Sequence, residues 1–408
     1  MPKKPWKFIK KPGVKKFMII GIDANEANVE TRVGVHQYAF EVLWGIYKIL
    51  KGRSLKSNNG EPITKVVAYL KKSPLKDLPT PTNFFKYRVL PGEGVWILKK
   101  LTPDLLFSKS KPDIFFSPSH YLPPFATMPM VCTIHDLGYL KFSEQFKKHD
   151  FWQLKYWSAI SIIISKYIIA VSKTTGDDIV RHYHYASKKI KVVQHGYDST
   201  RFNTNISEND VRRVLEKYSI VRDYILFIGT LKPSKNIEGI LEAFKLISSF
   251  KPQGKLVNQN KKLKLVIAGK KGWLYDLIFL KVKELGLEGS VIFTDYVDEK
   301  DKPALIKGAR VFMIPSFWEG FGMDVLNAFA CGVPVVASNT GALPEITGDA
   351  AIKVDPYSPK DIASGVLKVL SMPRKQYNNL VNKGFERVKS FSWDKCAEKT
   401  LGILESTT

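Results

Sequence analysis

Glu319 stands beside two glycines, Gly320 and Gly322, in the stretch SFWEGFGMDVLNAFACGVPVVAS from residue 316 to 338. The apolar run ARVFMIP before it reads as a strand, SFWEGFG as a loop, and MDVLNAFAC as a helix closed by Gly332. Glycines at such a turn let backbone come close to a ligand, and the free amides at the helix start favour a negative or hydroxyl-rich group. A carboxylate there repels phosphate, accepts hydrogen bonds from hydroxyls, and favours positive charge growing on a nearby carbon. Asn327 follows Asp324 by about one helical turn and can face the same side. The competing reading is a capped helix with Glu319 as a solvated loop acid.

Three further loops carry chemistry-bearing residues. In FIGTLKPSKNIEGILEAF a strand ends at Gly229, and Lys235 stands at the entrance to a helix whose apolar face is Ile237, Ile240, Leu241 and Phe244. A lysine at a helix start opposes the macrodipole at a cost of a few tenths of a kcal/mol unless an anion lies between them. Lys235 is therefore a diphosphate candidate with Lys232 as helper, against the alternative of solvated surface lysines. In NEANVETRVGVHQYAFEVL, Gly34 precedes a long helix, a weak signal that a plain turn explains equally. In TIHDLGYL a strand ends at His135 and Asp136, where a histidine has better odds of touching ligand than one elsewhere. His182 and His184 complete no recognisable metal set with a cysteine and read as surface residues.

These loops sit at the ends of a repeated pattern. Apolar, β-branched runs alternate with helix-length segments through the chain, their hydrophobicity continuous rather than alternating. That is the signature of parallel sheets covered on both faces. The pattern occurs twice, separated near residues 200–222 by a polar, turn-rich stretch, so the 408 residues divide into two doubly wound α/β domains facing across a cleft. Ligands of open parallel sheets bind beyond the carboxyl ends of the strands, which is where all four loops lie. The segment AISIIISKYIIAVS, 159–172, is too short to span a bilayer and reads as a helix end running into a buried strand. The stretch 248–265 is a basic, amide-rich loop or helix extension with no assigned chemistry.

The net charge of +25 calls for a polyanionic neighbour without choosing among nucleic acid, an anionic membrane and a phosphorylated substrate. Residues 1–16 hold seven lysines and no acid, and Pro2, Pro5 and Pro12 break any helix, so this reads as a disordered basic tail rather than a signal peptide. Cys132, Cys331 and Cys396 form no CxxC pair and read as buried thiols in a reducing compartment. The chain contains no DxD pair, no GxxxxGK[ST] loop and no GxGxxG fingerprint, which argues against a metal-bridged diphosphate, a P-loop NTPase and an ordinary dinucleotide enzyme.

In order along the chain, RVGVHQYAFEVL, TIHDLGYL, IIAVSKTTGDDIV, KVVQHGYDSTRF, YILFIGTLKPSKNIEGILEAF, LVIAGKKGW, VIFTDYVDEKD, FMIPSFWEGFGMDVLNAFACGVPVVASNTGALPEI and FSWDKCAEKTL resemble the group 1 (family 4) glycosyltransferases. Nine loose matches in the right order are specific together. The resemblance implies the GT-B architecture, two Rossmann-like domains with a final helix that crosses back to the first. The divisions it suggests are a tail at 1–16, an acceptor-side domain at 17–205, a donor domain at 222–385 and the returning helix at 386–408. It implies a retaining, metal-independent hexosyltransferase, mannosyltransferase-like, acting without cofactor in cell-envelope polysaccharide synthesis. Its donor would be a nucleotide diphosphate sugar and its acceptor a glycan or lipid-linked glycan.

Carried over by residue, the resemblance gives Glu319 the contact with donor sugar hydroxyls, helped by the amides around Gly320, Phe321, Gly322 and Met323. Asn327 stands where a ribose-binding glutamate is usual. Lys235 matches the diphosphate lysine, Gly34 the phosphate-loop glycine, and His135 the histidine near the sugar. Backbone around Tyr296 and Val297 would hold the base, with Gly229, Thr230 and Gly269 completing the donor wall. The sequence departs from the pattern at Thr230 and Ser234, where arginine is frequent, and Lys232 cannot restore bidentate geometry.

The acceptor side is less legible. Residues 65–111 carry ten Lys or Arg against three acids and include GVWILKKLTPDLLF, which fits either a helix lying on an anionic membrane or a buried helix with a basic rim. The expected location is cytoplasmic, with the inner membrane face as a peripheral site. Two alternatives share the architecture: a non-catalytic sugar-nucleotide binder and a sugar-nucleotide epimerase. A nucleic-acid partner is not expected, since charge alone favours it.

Overall fold

The computed structural model describes residues 17–56, 64–249, 263–272 and 275–407. The basic tail and most of the 248–265 stretch lie outside the described residues. A first sheet is built from β1 (Met18–Asp23), β2 (Thr64–Leu70), β3 (Phe85–Val89), β4 (Ile114–Ser117), β5 (Met130–Ile134), β6 (Tyr167–Ala170) and β7 (Ile190–Val192). A second contains β8 (Tyr224–Ile228), β9 (Lys264–Ala268), β10 (Val291–Phe293), β11 (Val311–Ile314), β12 (Val335–Ser338) and β13 (Ala351–Val354). Their orders are 3-2-1-4-5-6-7 and 10-9-8-11-12-13. The pairings in both sheets are parallel, from Met18 opposite Thr64 to Ser338 opposite Val354.

This is the doubly wound GT-B arrangement, and its physical cause is visible in burial. Strands β4, β5, β8, β11 and β12 are buried at every position, as their unbroken apolar sequences require when helices cover both faces. The strand order reverses between β1 and β4 in the first sheet and between β8 and β11 in the second. At these reversals the crossover helices leave in opposite directions and open a crevice beyond the strand ends. The loop after β8 carries Gly229 to Lys235, and the loop after β11 carries Glu319 to Gly322.

Two elements differ from the reading of the sequence. Strand β3, FKYRV, is a seventh strand that its charges hide. The polar stretch near 200–222 contains a helix, Glu208–Lys217, because Val211, Val214 and Leu215 form a stripe buried in the second domain's core. The second domain therefore gathers its first helix from the segment read as linker. At the other end, residues 374–388 form a helix packed on the second domain, where Gly384 leaves no room for a side chain against Phe329. The returning helix is Trp393–Glu405, whose Cys396, Leu401 and Leu404 complete the first domain's core with Val42, Ile46 and Leu50. Finally, the GVWILKKLTPDLLF segment turns Trp96, Leu101 and Leu105 inward and leaves Lys99 and Lys100 exposed together with Val95, Leu98 and Phe107, an outer face both basic and apolar. The three cysteines are free and buried.

Candidate active site

The loops after β8 and β11 are tied together by hydrogen bonds. Asn236 adopts a left-handed conformation at φ 56° after the turn Pro233–Lys235, and its side-chain amide donates to Pro315 O at 3.0 Å and Pro356 O at 2.6 Å. The Phe317 amide donates to Ser234 O at 3.0 Å, so the loop after β11 lies along the loop after β8. This brings Lys235 Nζ to 2.5 Å from Glu319 Oε1, and Ser316 Oγ donates to the same oxygen at 2.8 Å. Both charged side chains are largely buried, at 18 % and 12 % exposure, where screening is weak and mutual neutralisation matters.

Gly322 sits at φ 89°, a conformation that favours glycine, and opens the helix Met323–Ala330. Asp324 in its first turn is half-buried, and its desolvation raises its pKa; Asn327 Nδ2 donates to it at 3.2 Å. On the neighbouring strand ends, Gly229 and Gly269 pass so closely that a Cβ on Gly269 would lie 2.0 Å from Gly229 O. Tyr296 and Val297 close the far wall, with Lys270 Nζ 4.9 Å from the Tyr296 ring.

From the first domain come Gly34, at φ 54° before the helix Val35–Lys56, and His135 at the end of β5. His135 Nε2 lies 2.9 Å from Pro118 O, and since a carbonyl only accepts, this nitrogen carries the proton and Nδ1 is the ring's acceptor. Burial lowers the His135 pKa, which favours the neutral ring at pH 7. One cleft of about 390 Å³ is lined by every sequence-identified residue: Gly34, His135, Gly229, Thr230, Lys232, Lys235, Gly269, Tyr296, Val297, Glu319 to Met323, and Asn327. Burial lowers the pKa of Lys232 as well, with repulsion from Lys235 second.

Other residues in the wall were not singled out from the sequence. Arg32 and Arg201, with Lys270 and Lys302, supply cations at a site where Thr230 and Ser234 do not. Arg201 is held by Glu299, donating to its carbonyl at 2.5 Å and its carboxylate at 3.2 Å. Its position in the polar segment between the domains gave no periodicity to read. Arg32 precedes Gly34 by two residues, a local signal that was there to be used. Among the described residues, no group of three His, Cys, Asp or Glu is placed to hold a metal ion.

Comparison with known proteins follows the same division. The family described as Glycosyl transferases group 1 matches residues 214–387, and Glycosyltransferase Family 4 matches residues 66–201. O-antigen chain mannosyltransferase B of Escherichia coli is 30% identical over 86% of this chain and 84% of its own. The chain belongs to the group 1, family 4 glycosyltransferases. A second relative of this glycosyltransferase, mannosylfructose-phosphate synthase of Agrobacterium fabrum, is 26% identical over 59% of this chain and 53% of its own. Among solved structures, Anabaena Alr3699/HepE in complex with UDP and glucose superposes with a TM-score of 0.71 at 16% identity, covering 96% of this chain and 100% of that one. WaaG, a glycosyltransferase involved in lipopolysaccharide biosynthesis, gives 0.69 at 13% identity over 95% and 99%. At these identities the structures establish the shared fold.

The two domains of the glycosyltransferase meet directly behind the loop after β11. Ser172 Oγ donates to Gly320 O at 2.8 Å, and Thr175 Oγ1 reaches the same carbonyl at 3.3 Å. A Cβ on Gly320 would fall 1.9 Å from His135 O. The Glu345 carboxylate receives the amides of Lys173 and Thr174 at 3.0 Å, the Thr174 hydroxyl at 3.2 Å and Gln194 Nε2 at 3.0 Å. It thereby caps the first-domain helix Lys173–His182 from across the interface, where a negative charge is favoured.

Proposed function

We propose that this glycosyltransferase moves a hexose-type sugar from a nucleotide diphosphate sugar to a glycan or lipid-linked glycan in cell-envelope polysaccharide synthesis, with retention of configuration. The observation that carries the reading is the convergence of Lys235, Glu319 and His135 on one cleft between the lobes. The names of its relatives support the envelope role and a mannosyl donor; the UDP and UDP-glucose complexes of Alr3699/HepE support a nucleotide sugar of some kind.

In the proposed step the bond between the anomeric carbon and the diphosphate oxygen breaks while the acceptor hydroxyl oxygen bonds to that carbon from the same face. The acceptor's proton passes to the departing diphosphate, so no protein base is required. Lys235, aided by Lys232 and the amides opening the helix Met323–Ala330, offsets the charge gathering on the leaving group. Glu319 exchanges its lysine partner for sugar hydroxyls as positive charge develops on the ring. Neither cofactor nor metal enters this proposal. The enzyme would work in the cytoplasm, at the inner face of the membrane.

The altered cation set at Thr230 and Ser234 favours one other reading, a sugar-nucleotide binder without transfer activity. A panel of sugar nucleotides that includes GDP-mannose and UDP-glucose decides between them. One member should raise the Tm and release nucleoside diphosphate in the presence of acceptor glycan. Stabilisation without turnover selects the binder, and no stabilisation by any member overturns the donor assignment.

A further inference from the structure

The helix Lys148–Ile164 has the wrong outer face for a protein surrounded by water. Its inner side buries Ser158, Ser161 and Ile162. The opposite side exposes Trp152 at 45%, Tyr156 at 59%, Ile160 at 37% and Ile163 at 57%. At 3.6 residues per turn these four positions fall within an arc of about 80°, centred opposite the buried positions. A surface helix ordinarily places polar groups along the whole of its outer face; here only His149, in the first turn, is polar within that arc. Yet no described helix is long and apolar enough to cross a membrane.

The chemistry of the stripe points to a lipid interface. Trp152 and Tyr156 stack at 5.4 Å between ring centroids and present amphipathic rings at the helix start, where headgroups and acyl chains would meet. Ile160 and Ile163 continue the stripe with purely apolar surface. Lys155 Nζ lies 4.8 Å from the Trp152 ring, its stem free to lie along the apolar edge with the charge at headgroup level. Residues 141–166 hold five lysines, at 141, 147, 148, 155 and 166, against the acids Glu144 and Asp150. This local excess complements an anionic surface, whereas a second copy of the same basic face would repel it.

We infer that the face formed by Trp152, Tyr156, Ile160 and Ile163 seats the protein on an anionic bilayer, the helix lying in the interface with its axis along the membrane. The inference deepens the proposed membrane location and assigns it to a face distinct from the 94–107 segment, which turns its tryptophan inward and exposes Val95, Leu98 and Phe107 beside Lys99 and Lys100. The seat also has an orientation. Trp157, on the flank of the helix, packs edge-on against Tyr121 at 5.8 Å, in the loop after β4 that borders the strand-order reversal. An acceptor sugar carried on a lipid would then enter the first domain beside Tyr121 rather than from the donor side.

Flotation of the full chain with vesicles of phosphatidylglycerol and phosphatidylcholine, against phosphatidylcholine alone, tests this. Binding should favour the anionic vesicles and leave a fraction resistant to about 0.5 M salt, where the charge of the basic tail is screened but apolar insertion is not. The pair Tyr156→Glu with Ile163→Glu should lower the salt-resistant binding by about tenfold or more, since both side chains are exposed and folding does not need them. Their Tm and their stabilisation by the donor nucleotide serve as the folding control. Equal binding by wild type and the double variant would overturn the proposal, as would a wild-type dimer that the substitutions convert to monomer without altering vesicle binding. Nucleotide stabilisation is read separately, so failure here leaves the transfer reading standing, and failure of that reading leaves vesicle binding measurable.

Discussion

Lys235 and Glu319, 84 residues apart, form an ion pair in the wall of the cleft between the lobes, with Nζ and Oε1 2.5 Å apart. Each holds the other in place of a ligand, so the two substitutions should affect ligand binding in opposite ways. Lys235→Ala leaves a carboxylate that repels phosphate, and affinity for the nucleoside diphosphate should fall by about tenfold or more. Glu319→Gln removes that repulsion, so the same affinity should hold or rise. Turnover should nevertheless fall in both by about a hundredfold or more, since charge stabilisation is lost on one side or the other of the breaking bond. Calorimetric binding of GDP and UDP beside initial transfer rates checks both halves.

Glu345 is expected to act at a distance from the chemistry. Four donors of the first domain converge on its carboxylate, and the same helix start holds Gly320 O through Ser172 and Thr175. Glu345→Ala should loosen the lobes at a cost of about 2 kcal/mol, enlarge the radius of gyration in solution scattering, and lower kcat more than donor affinity. Glu345→Gln, which keeps one acceptor oxygen, should recover part of the loss.

Two glycines separate steric from conformational demand. Gly320 has ordinary backbone geometry but no space, because its Cβ would meet His135 O at 1.9 Å. Gly34 has empty space around it but a φ of 54°. Gly320→Ala should force the lobes apart and abolish transfer, while Gly34→Ala should cost about 1 kcal/mol and weaken diphosphate binding modestly. Thermal unfolding and transfer rates on both variants distinguish these outcomes.

Stability should respond to mild acid. Burial depresses the pKa of His120 to about 4 and lowers those of His135 and His195, so the unfolded chain takes up protons first as pH falls. The histidine contribution is present in full above the ordinary value of about 6.5 and is lost from there down to about 4, opposed in part by Asp23, whose pKa burial raises to about 6. Tm measured from pH 8 to 4 should be flat at first and then fall, and His120→Gln should flatten the descent.

The chain announced its strands and the loops beyond them because continuous apolar runs and glycine-flanked turns are local features. Glu319, Lys235 and His135 were legible for the same reason: each stands within a few residues of a strand end. The helix Glu208–Lys217 escaped because three buried apolar residues in a charged segment look like a linker until a second domain is present to cover them. Strand β3 escaped because Lys86 and Arg88 break its apolar run. Contacts such as Ser172 with Gly320, 148 residues apart, leave no trace in either neighbourhood. What the sequence hid is mostly what one lobe does to the other.

The returning helix alters how those lobes can move. The backbone passes from the first to the second ahead of Glu208 and comes back before Trp393, where Gly196 lies so close that a Cβ would sit 2.0 Å from the Trp393 amide nitrogen. Two crossings side by side behave like the paired pins of a door: swinging about the line through them is cheap, and twisting or sliding is resisted. A protease that cut only one pin would leave the halves still fastened by the other.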